Sequence, residues 1–388
     1  MPFAAALSQH PLPTHAVGEV VGQVLEDLGE APDAALIFVT APFAGAMEDI
    51  AATVRATLRP AALIGCSAAS VLANGQEVEH EAAISLFAMR FGRWGRTNHG
   101  GLVRTVTLES HREDDGWAVT VDADLVAPRA TLVLLADPFT FPVDAVVGDL
   151  VDRAPGLTVV GGMASAATGP GGNRLVADGR VLEAGAVGLL LPPALGTTPV
   201  VSQGTRPVGD PLVVTRASGT MIDEIAGMPA LDRVLEIAEQ ADADDRRGMS
   251  RSLHIGLVLD ERKVELDRED VLVRPVLGAD HERRSVAVAT EVQVGSTVQF
   301  QVRDARSADE DLRLALSDAD AAAALVFTCV GRGRDLFDEP HHDASVVSEA
   351  LDGGPVAGMF CEGEIGPVHG RHVVHGMSTS VLLLDEPA

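Results

Sequence analysis

Apolar residues in this chain fall into three blocks that repeat one order of elements. Each block reads as a strand, a helix-length stretch, a second strand that meets a glycine, and a third strand. The first strands are ALIFVT (35–40), TLVLLAD (131–137) and ALVFTCVG (324–331). The second strands lie in LIGCS, TVVGGMAS and PVAGMFCEGE, and we expect each to end on a glycine turn. A repeat of this kind predicts one structural unit used three times.

Segments whose apolar residues recur at helical spacing lie between and around these strands. This spacing predicts helices over five segments, namely 16–28, 42–58, 142–153, 229–241 and 305–323. Residues 242–251 are dense in charge, and we expect a connector there. The elements together predict an α/β fold with two related lobes. In each lobe, mixed β-sheets built from repeated β-α-β-turn-β units are covered by helices. We place the lobes at residues 1–220 and 221–388.

The amino-acid composition and net charge disfavour some classes of binding partner. The chain has 388 residues, 46% of them hydrophobic, and a formal net charge of −27. Such acidity disfavours nucleic acid and anionic membranes, because both carry negative charge. No apolar run reaches the ~20 residues of a membrane helix, and the N-terminus lacks a signal-peptide pattern. We therefore expect a cytoplasmic protein, and its three cysteines fit a reducing compartment.

The main candidate site follows the strands of the third block. Arg332 comes after a strand through Gly331, and neighbouring strands would place it at one sheet edge with Cys361. Its guanidinium could hold a ligand carboxylate with two hydrogen bonds, Glu364 could receive an amino group, and Phe360 could form an apolar wall. An amino-acid-like zwitterion would fit, whereas the alternative is a buried Arg–Glu pair that fixes the turn. The candidate residues here are Cys329, Arg332, Phe360, Cys361, Glu362 and Glu364.

Further candidates follow the second strands of the first two blocks. Residues just past a strand often face ligands in α/β folds, and exposed backbone N–H groups there can bind a carboxylate. A tightly packed turn is the alternative. These candidates are Gly65, Cys66 and Ser67 in LIGCS, and Gly162 and Ser165 in VVGGMAS. Arg274, alone between apolar strand residues, is a further candidate because it needs a partner.

Metal and cofactor chemistry have little support in the sequence. His369, His372 and His375 are spaced three apart, but the surrounding Pro and Gly predict loop and strand rather than a helix that could share a metal. We assign no metal ligands. Lys263 is the only lysine and lies in a polar stretch, so Schiff-base and PLP chemistry are disfavoured and we expect no cofactor.

Catalysis by a cysteine is an open alternative. Cys361 or Cys66 beside a histidine and an acid would make a thiol hydrolase. The G-x-S-x-G signature is missing, and a small buried cysteine is the common case. We therefore assign no catalytic residue and leave open whether the chain is an enzyme.

Several motifs resemble the FIST family, a sensory domain named for F-box and intracellular signal transduction proteins. LIGCSAAS, VVGGMAS and GAVGLLL resemble its N-terminal domain, and VVTRASGTMIDEIAGMPAL and AGMFCEGEIGPVHG resemble the joining segment and the C-terminal domain. The resemblance implies a two-part α/β sensor of bacterial signal transduction that binds a small ligand such as an amino acid. The two halves leave no region for an output module, so we expect a separate signalling partner. The alternatives are a cysteine-dependent enzyme and an interaction scaffold without a ligand.

Overall fold

A computed structural model describes residues 2–91, 103–113, 116–121, 129–263 and 265–386. It consists of two compact units. The first comprises Met1–Ser202, Leu312–Pro367 and Arg371–Ala388, and the second comprises Gln203–Asp311 with Val368–Gly370. The second unit is thus an insertion in the sequence of the first. The predicted fold class, mixed sheets in two lobes with helices covering them, is confirmed. The sequence boundary at residue 220 stays a prediction.

The elements follow in chain order. The strands before the insertion are β1 (Phe3–Ser8), β2 (Ala34–Thr40), β3 (Ala62–Ala68), β4 (Ser70–Ala73), β5 (Gln76–Glu79), β6 (Ile84–Met89), β7 (Arg104–Glu113), β8 (Gly116–Val121), β9 (Thr131–Ala136), β10 (Thr158–Met163), β11 (Leu175–Ala177), β12 (Arg180–Leu182), β13 (Ala186–Leu191) and β14 (Thr197–Ser202). Those of the second unit are β15 (Arg206–Ser218), β16 (Met221–Ile225), β17 (Met228–Pro229), β18 (Leu253–Val258), β19 (Val271–Asp280), β20 (Ser285–Val288) and β21 (Thr297–Val302).

The chain then returns to the first unit. Its last strands are β22 (Ala323–Cys329), β23 (Val356–Cys361), β24 (Glu364–Val368), β25 (Arg371–His375) and β26 (Thr379–Leu384). The helices of the whole chain are α1 (Pro13–Asp27), α2 (Met47–Thr57), α3 (Val143–Arg153), α4 (Ala230–Gln240), α5 (Ala243–Arg251), α6 (Ala305–Ala315) and α7 (His342–Ala350).

Three sheets of the first unit share one strand order. The first sheet is β1-β6-β2-β3-β11-β12, the second is β8-β7-β13-β9-β10-β24-β25, and the third is β14-β26-β22-β23-β4-β5. The central pairs β2–β3, β9–β10 and β22–β23 are parallel. The hairpin at the end of each sheet comes from another repeat, because β4–β5, β11–β12 and β24–β25 complete the third, first and second sheets. The three repeats therefore exchange hairpins in a closed cycle.

The predicted turn is wrong for Gly65, Gly161 and Gly358, because these glycines lie inside β3, β10 and β23. Gly65, Gly161 and Gly358 face equivalent positions of the neighbouring parallel strand, in pairs with Ile37, Leu134 and Val326. A Cβ at each glycine would stand 2.2, 1.9 and 1.8 Å from the partner's carbonyl oxygen. No side chain fits such an approach, so glycine is required by close backbone contact rather than by a turn.

The inner faces of the three sheets share one apolar core. Phe38 of the first sheet and Phe327 of the third meet edge to face, with ring centroids 6.3 Å apart. Val133 of the second sheet belongs to the same buried cluster. The outer faces are covered by helices: α1 and α2 on the first sheet, α3 on the second, and α7 on the third. Sheets buried on both faces explain the continuous apolar runs of the sequence.

The second unit is a closed antiparallel barrel. Its strand order is β15-β21-β18-β19-β20-β16-β17, and an additional pairing of β15 with β16 closes the ring. Ile222, Ile255 and Phe300 are among the side chains that form its buried core. Helix α4 packs on this core through partly buried Leu231 and Val234, as its predicted apolar stripe requires.

Two local predictions need correction. Residues 242–251 are not only a connector, because α5 occupies most of them and Asp242 accepts hydrogen bonds from the backbone N–H groups of Asp244 and Asp245. Strand β1 was not predicted at all, although it pairs along its whole length with β6.

Candidate functional site

The predicted sheet edge exists in the third sheet. Strands β22 and β23 are parallel neighbours, and Cys329 is in register with Cys361. Arg332 follows the end of β22, and α7 begins at the same edge after the loop. Carboxyl ends of parallel strands and a helix N-terminus meet here, which is where α/β folds commonly place ligands.

Arg332 is fully buried and its partner is Asp343 on α7. Its Nε and Nη2 donate to the two carboxylate oxygens, each over 2.7 Å. Asp343 therefore occupies the Nε–Nη2 edge of the guanidinium, and the expected contact of Arg332 with a ligand carboxylate stays a prediction. Burial opposes the charged form of Asp343, but the guanidinium holds the pKa of that carboxyl well below its usual range. The pair is an ionised, buried salt bridge.

Polar groups complete the shell of Asp343. Thr328 on β22 donates to it, as does Thr379 on β26 over 3.1 Å, and His342 Nδ1 lies 2.9 Å away. The Phe337 ring lies under the guanidinium, 5.3 Å from Arg332 Cζ, and stacks on His342 with ring centroids 3.5 Å apart. Arg332 is thus held in one position from several elements.

One nitrogen of Arg332 makes no hydrogen bond to the described residues. Nη1 is buried and has no hydrogen-bond partner among the described residues. A buried donor without a partner costs on the order of 1–3 kcal/mol, and a charged donor costs more. Such exceptions in native structures often mark a missing water, ion or ligand.

Glu364 and the Cys329 thiol lie near this guanidinium. Glu364 is fully buried and accepts from the backbone N–H and the hydroxyl of Ser378, over 3.0 and 2.7 Å. The expected amine acceptor is therefore engaged within the protein. Cys329 and Glu364 both act electrostatically on Arg332 and favour its charged form. Phe360 is buried in β23, whereas Glu362 is exposed, and a wall role for Phe360 stays a prediction.

The site contains two residues from the first repeat that the sequence did not reveal. Glu77 on β5 is 4% exposed, and its Oε1 accepts from the N–H of Ala344 over 3.0 Å, while Oε2 has no partner among the described residues. Glu79 accepts from the N–H of Arg334. The exchanged hairpin β4–β5 brings both residues here, and no local pattern indicates that exchange. For Asp343 the sequence did offer one indication, because it is an acidic residue at the start of the helix-length stretch between the two parallel strands.

The candidates of the first two repeats lie next to the shared core. Cys66 is fully buried with its Sγ 3.0 Å from Met359 Sδ, and a Cβ at Gly162 would collide with Cys361. Ser165 accepts from the N–H of Ala69 over 2.9 Å and donates to the carbonyl of Phe360 over 2.6 Å.

Ser67, Arg274 and Gly65 also have contacts within the protein. Ser67 is buried and accepts from the N–H of Arg174. Arg274 lies on β19 of the second unit and donates to the carbonyl of Val273. Gly65, as described above, faces the Ile37 carbonyl. The structure therefore gives these residues packing and hydrogen-bonding roles, and their contact with a ligand stays a prediction.

The cysteines lack the properties of nucleophiles. Cys66 and Cys361 are both 0% exposed. Burial raises the pKa of both thiols above the ordinary value. Burial therefore disfavours the thiolate form of both residues, and the thiol-hydrolase alternative has no support at these two positions.

The part of the chain that the structure describes lacks two other kinds of site. There, no group of three His, Cys, Asp or Glu side chains is arranged to hold a metal. None of the helices described is both long and apolar enough to cross a membrane.

The second unit has a cavity of about 380 Å³ between β15, α4 and the start of α5. Its acidic lining is largely engaged: Asp242 caps α5, Asp245 pairs with Arg206, and Glu236 pairs with Arg233. The cavity is therefore a less favourable ligand site than the buried cluster around Arg332.

Comparison with known proteins matches the chain along most of its length. The FIST N domain matches residues 33–228, and the FIST C domain matches residues 229–367. An uncharacterized protein of Mycobacterium bovis is 40% identical over 372 residues, covering 94% of each chain. An uncharacterized protein of Mycobacterium tuberculosis is 38% identical over 390 residues, covering 99% of each chain.

Proposed function

The chain belongs to the FIST family of sensory and signal-transduction domains, and we propose that it is a cytoplasmic sensor of a small carboxylate, such as an amino acid. The ligand binds at the Arg332 cluster, and a separate signalling protein reads the bound state. The observation that carries the proposal is the buried Nη1 of Arg332, which has no hydrogen-bond partner among the described residues.

A charged hydrogen bond to Nη1 would be strong in this setting. Asp343 holds the guanidinium along its Nε–Nη2 edge. The Nη1 donor is therefore already oriented and loses little entropy on binding. Burial removes competing water, which strengthens a charge-assisted bond. A carboxylate oxygen is the acceptor that matches such a donor.

Access requires a local movement, because Nη1 is enclosed. The segment after β22 forms a short 3-10 turn at Gly333–Asp335 between Arg332 and Phe337. Glu79 on the exchanged hairpin contacts this turn at Arg334. Ligand entry would displace the turn and the hairpin together, and a ligand that favours one arrangement shifts its population. That displacement is the signal available to a partner.

A thermal-shift screen of amino acids and simple carboxylates tests the site. A ligand at a hundred times its Kd stabilises the folded state by about 2.7 kcal/mol, enough for a clear rise in Tm. We expect the rise in wild type and in Arg153→Gln, a control that changes an exposed arginine of α3. We expect Arg332→Gln to lose it. An equal response in a folded Arg332→Gln protein would place the ligand elsewhere.

Nitrogen-15 NMR of arginine side chains in wild type covers the case in which Arg332→Gln does not fold. Ligand should shift the resonances of one slowly exchanging, buried guanidinium. If the screen finds a stabilising ligand and no such resonance moves, the proposed site is wrong. A screen without any stabilising ligand would favour the interaction-scaffold alternative.

A further inference from the structure

Glu77 is a buried carboxyl group without a cation of its own. No arginine or lysine in the described part of the chain forms an ion pair with it, because Arg332 is engaged by Asp343 and Arg334 faces Glu79. Its Oε1 accepts from the first turn of α7, and its backbone N–H donates to His341 Nδ1 over 2.9 Å. The hairpin of the first repeat is thus joined to a helix of the third repeat through this residue.

The charges around Glu77 disfavour its ionised form. The charges of Asp343 and Glu79 raise the pKa of Glu77, whereas the hydrogen bond from the Ala344 N–H and the nearby His342 lower it. Burial, followed by the charge of Asp343, raises the pKa of Glu77 from 4.5 to about 7. The groups that face Glu77 from its own strand, from α7 and from the residue before α7 are Glu79, Asp343, His342 and His341.

We propose that the β4–β5 hairpin is a proton-operated latch, which a neutral Glu77 keeps docked on α7 beside the Arg332–Asp343 pair. The latch goes beyond the proposed function and does not depend on which ligand binds. When Glu77 ionises, a buried negative charge faces Asp343, and undocking the hairpin lets water solvate it. Proton loss therefore opens the edge at which Arg332 lies.

The direction of the pH dependence follows from the two ionisation states. The docked hairpin binds a proton more tightly than the undocked one, so docking is strongest below pH 4.5 and weakens as the pH rises to about 7. Within that window the opening constant rises up to about tenfold per pH unit, and above it the constant is level. The total change is on the order of a hundredfold.

Hydrogen exchange of the full chain between pH 5 and 8 tests the latch. After correction for intrinsic exchange, protection of the β4–β5 amides should fall on the order of a hundredfold up to pH 7 and then stay constant. Glu77→Gln, a neutral isostere, should keep the hairpin protected throughout. Glu81→Gln, which neutralises an exposed carboxylate just after the same hairpin, should retain the wild-type pH dependence. The same loss of protection in Glu77→Gln would overturn the proposal.

A second measurement needs no variant. Carbon-13 NMR of glutamate carboxyl groups in wild type should show one resonance that titrates near pH 7. Absence of any glutamate carboxyl titrating above pH 6 would equally overturn the latch. Both measurements are made without ligand, so their failure leaves the carboxylate site at Arg332 standing, and failure of the ligand screen leaves the latch standing.

Discussion

The glycine in the second strand of each repeat shows how the absence of one side chain allows two parallel strands to approach closely. Gly65, Gly161 and Gly358 each lie opposite a carbonyl oxygen that would stand about 2 Å from a Cβ. A methyl group there forces the two parallel strands apart, and the strands are buried on both faces. The sequence signal was real, but its physical cause is close approach inside a strand rather than a turn.

Alanine at any of these glycines should destabilise the protein. For Gly358→Ala we expect a loss of about 1–3 kcal/mol or more in the free energy of unfolding, measured in urea, because overpacking here strains backbone rather than a flexible side chain. Gly18→Ala is the matched control, since Gly18 lies in α1 with nothing within 4 Å of its Cβ position. That variant should gain about 0.5–1 kcal/mol. Equal effects of the two substitutions would contradict the steric reason.

At the scale of elements, α5 shows a polar helix that hydrophobic periodicity misses. Its sequence, ADDRRGMSR, has almost no apolar residue, so the density of charged residues led us to predict a connector over residues 242–251. The helix is defined instead by its cap, because Asp242 accepts from two backbone N–H groups, over 2.9 and 2.8 Å, and acids occupy the first turn.

Removing the cap should loosen α5. We expect Asp242→Ala to lower the free energy of unfolding, with faster hydrogen exchange confined to residues 243–247. Asp244→Ala removes a first-turn acid of the same helix that is 79% exposed, and should cost less. If both variants cost the same, the helix dipole rather than the cap would be the dominant effect.

The elements also show how far the sequence could predict the site. The three parallel strand pairs, and hence the pairing of Cys329 with Cys361, follow from the apolar runs and from the helix-length connections between them. Asp343 was missed as the partner of Arg332 because pairing depends on where α7 begins, to within one turn. Glu77 was missed because a hairpin's sequence gives its own register but not the sheet that it joins.

At the scale of the whole molecule, the exchange of hairpins ties distant segments into one cooperative unit. The third sheet needs β4 and β5 from the first repeat, and the second sheet needs β24 and β25 from the third repeat. Neither half of the sequence contains all strands of its own sheets. The barrel of the second unit differs, because all of its strand pairings lie between residues 206 and 302.

Two fragments separate these cases. Residues 203–311 should fold alone, giving dispersed amide resonances and a cooperative thermal transition, because the barrel is closed and has its own core. Residues 1–202 contain more sequence but lack β22, β23 and β26, and with them the Phe327 side of the shared core. That fragment should expose apolar surface, bind a hydrophobic dye and melt without cooperativity. Adding residues 312–388 in trans should restore cooperative melting if pairing across repeats is what the fragment lacks. A cooperative transition of residues 1–202 alone would instead show that the exchanged hairpins contribute little to the stability of the first unit.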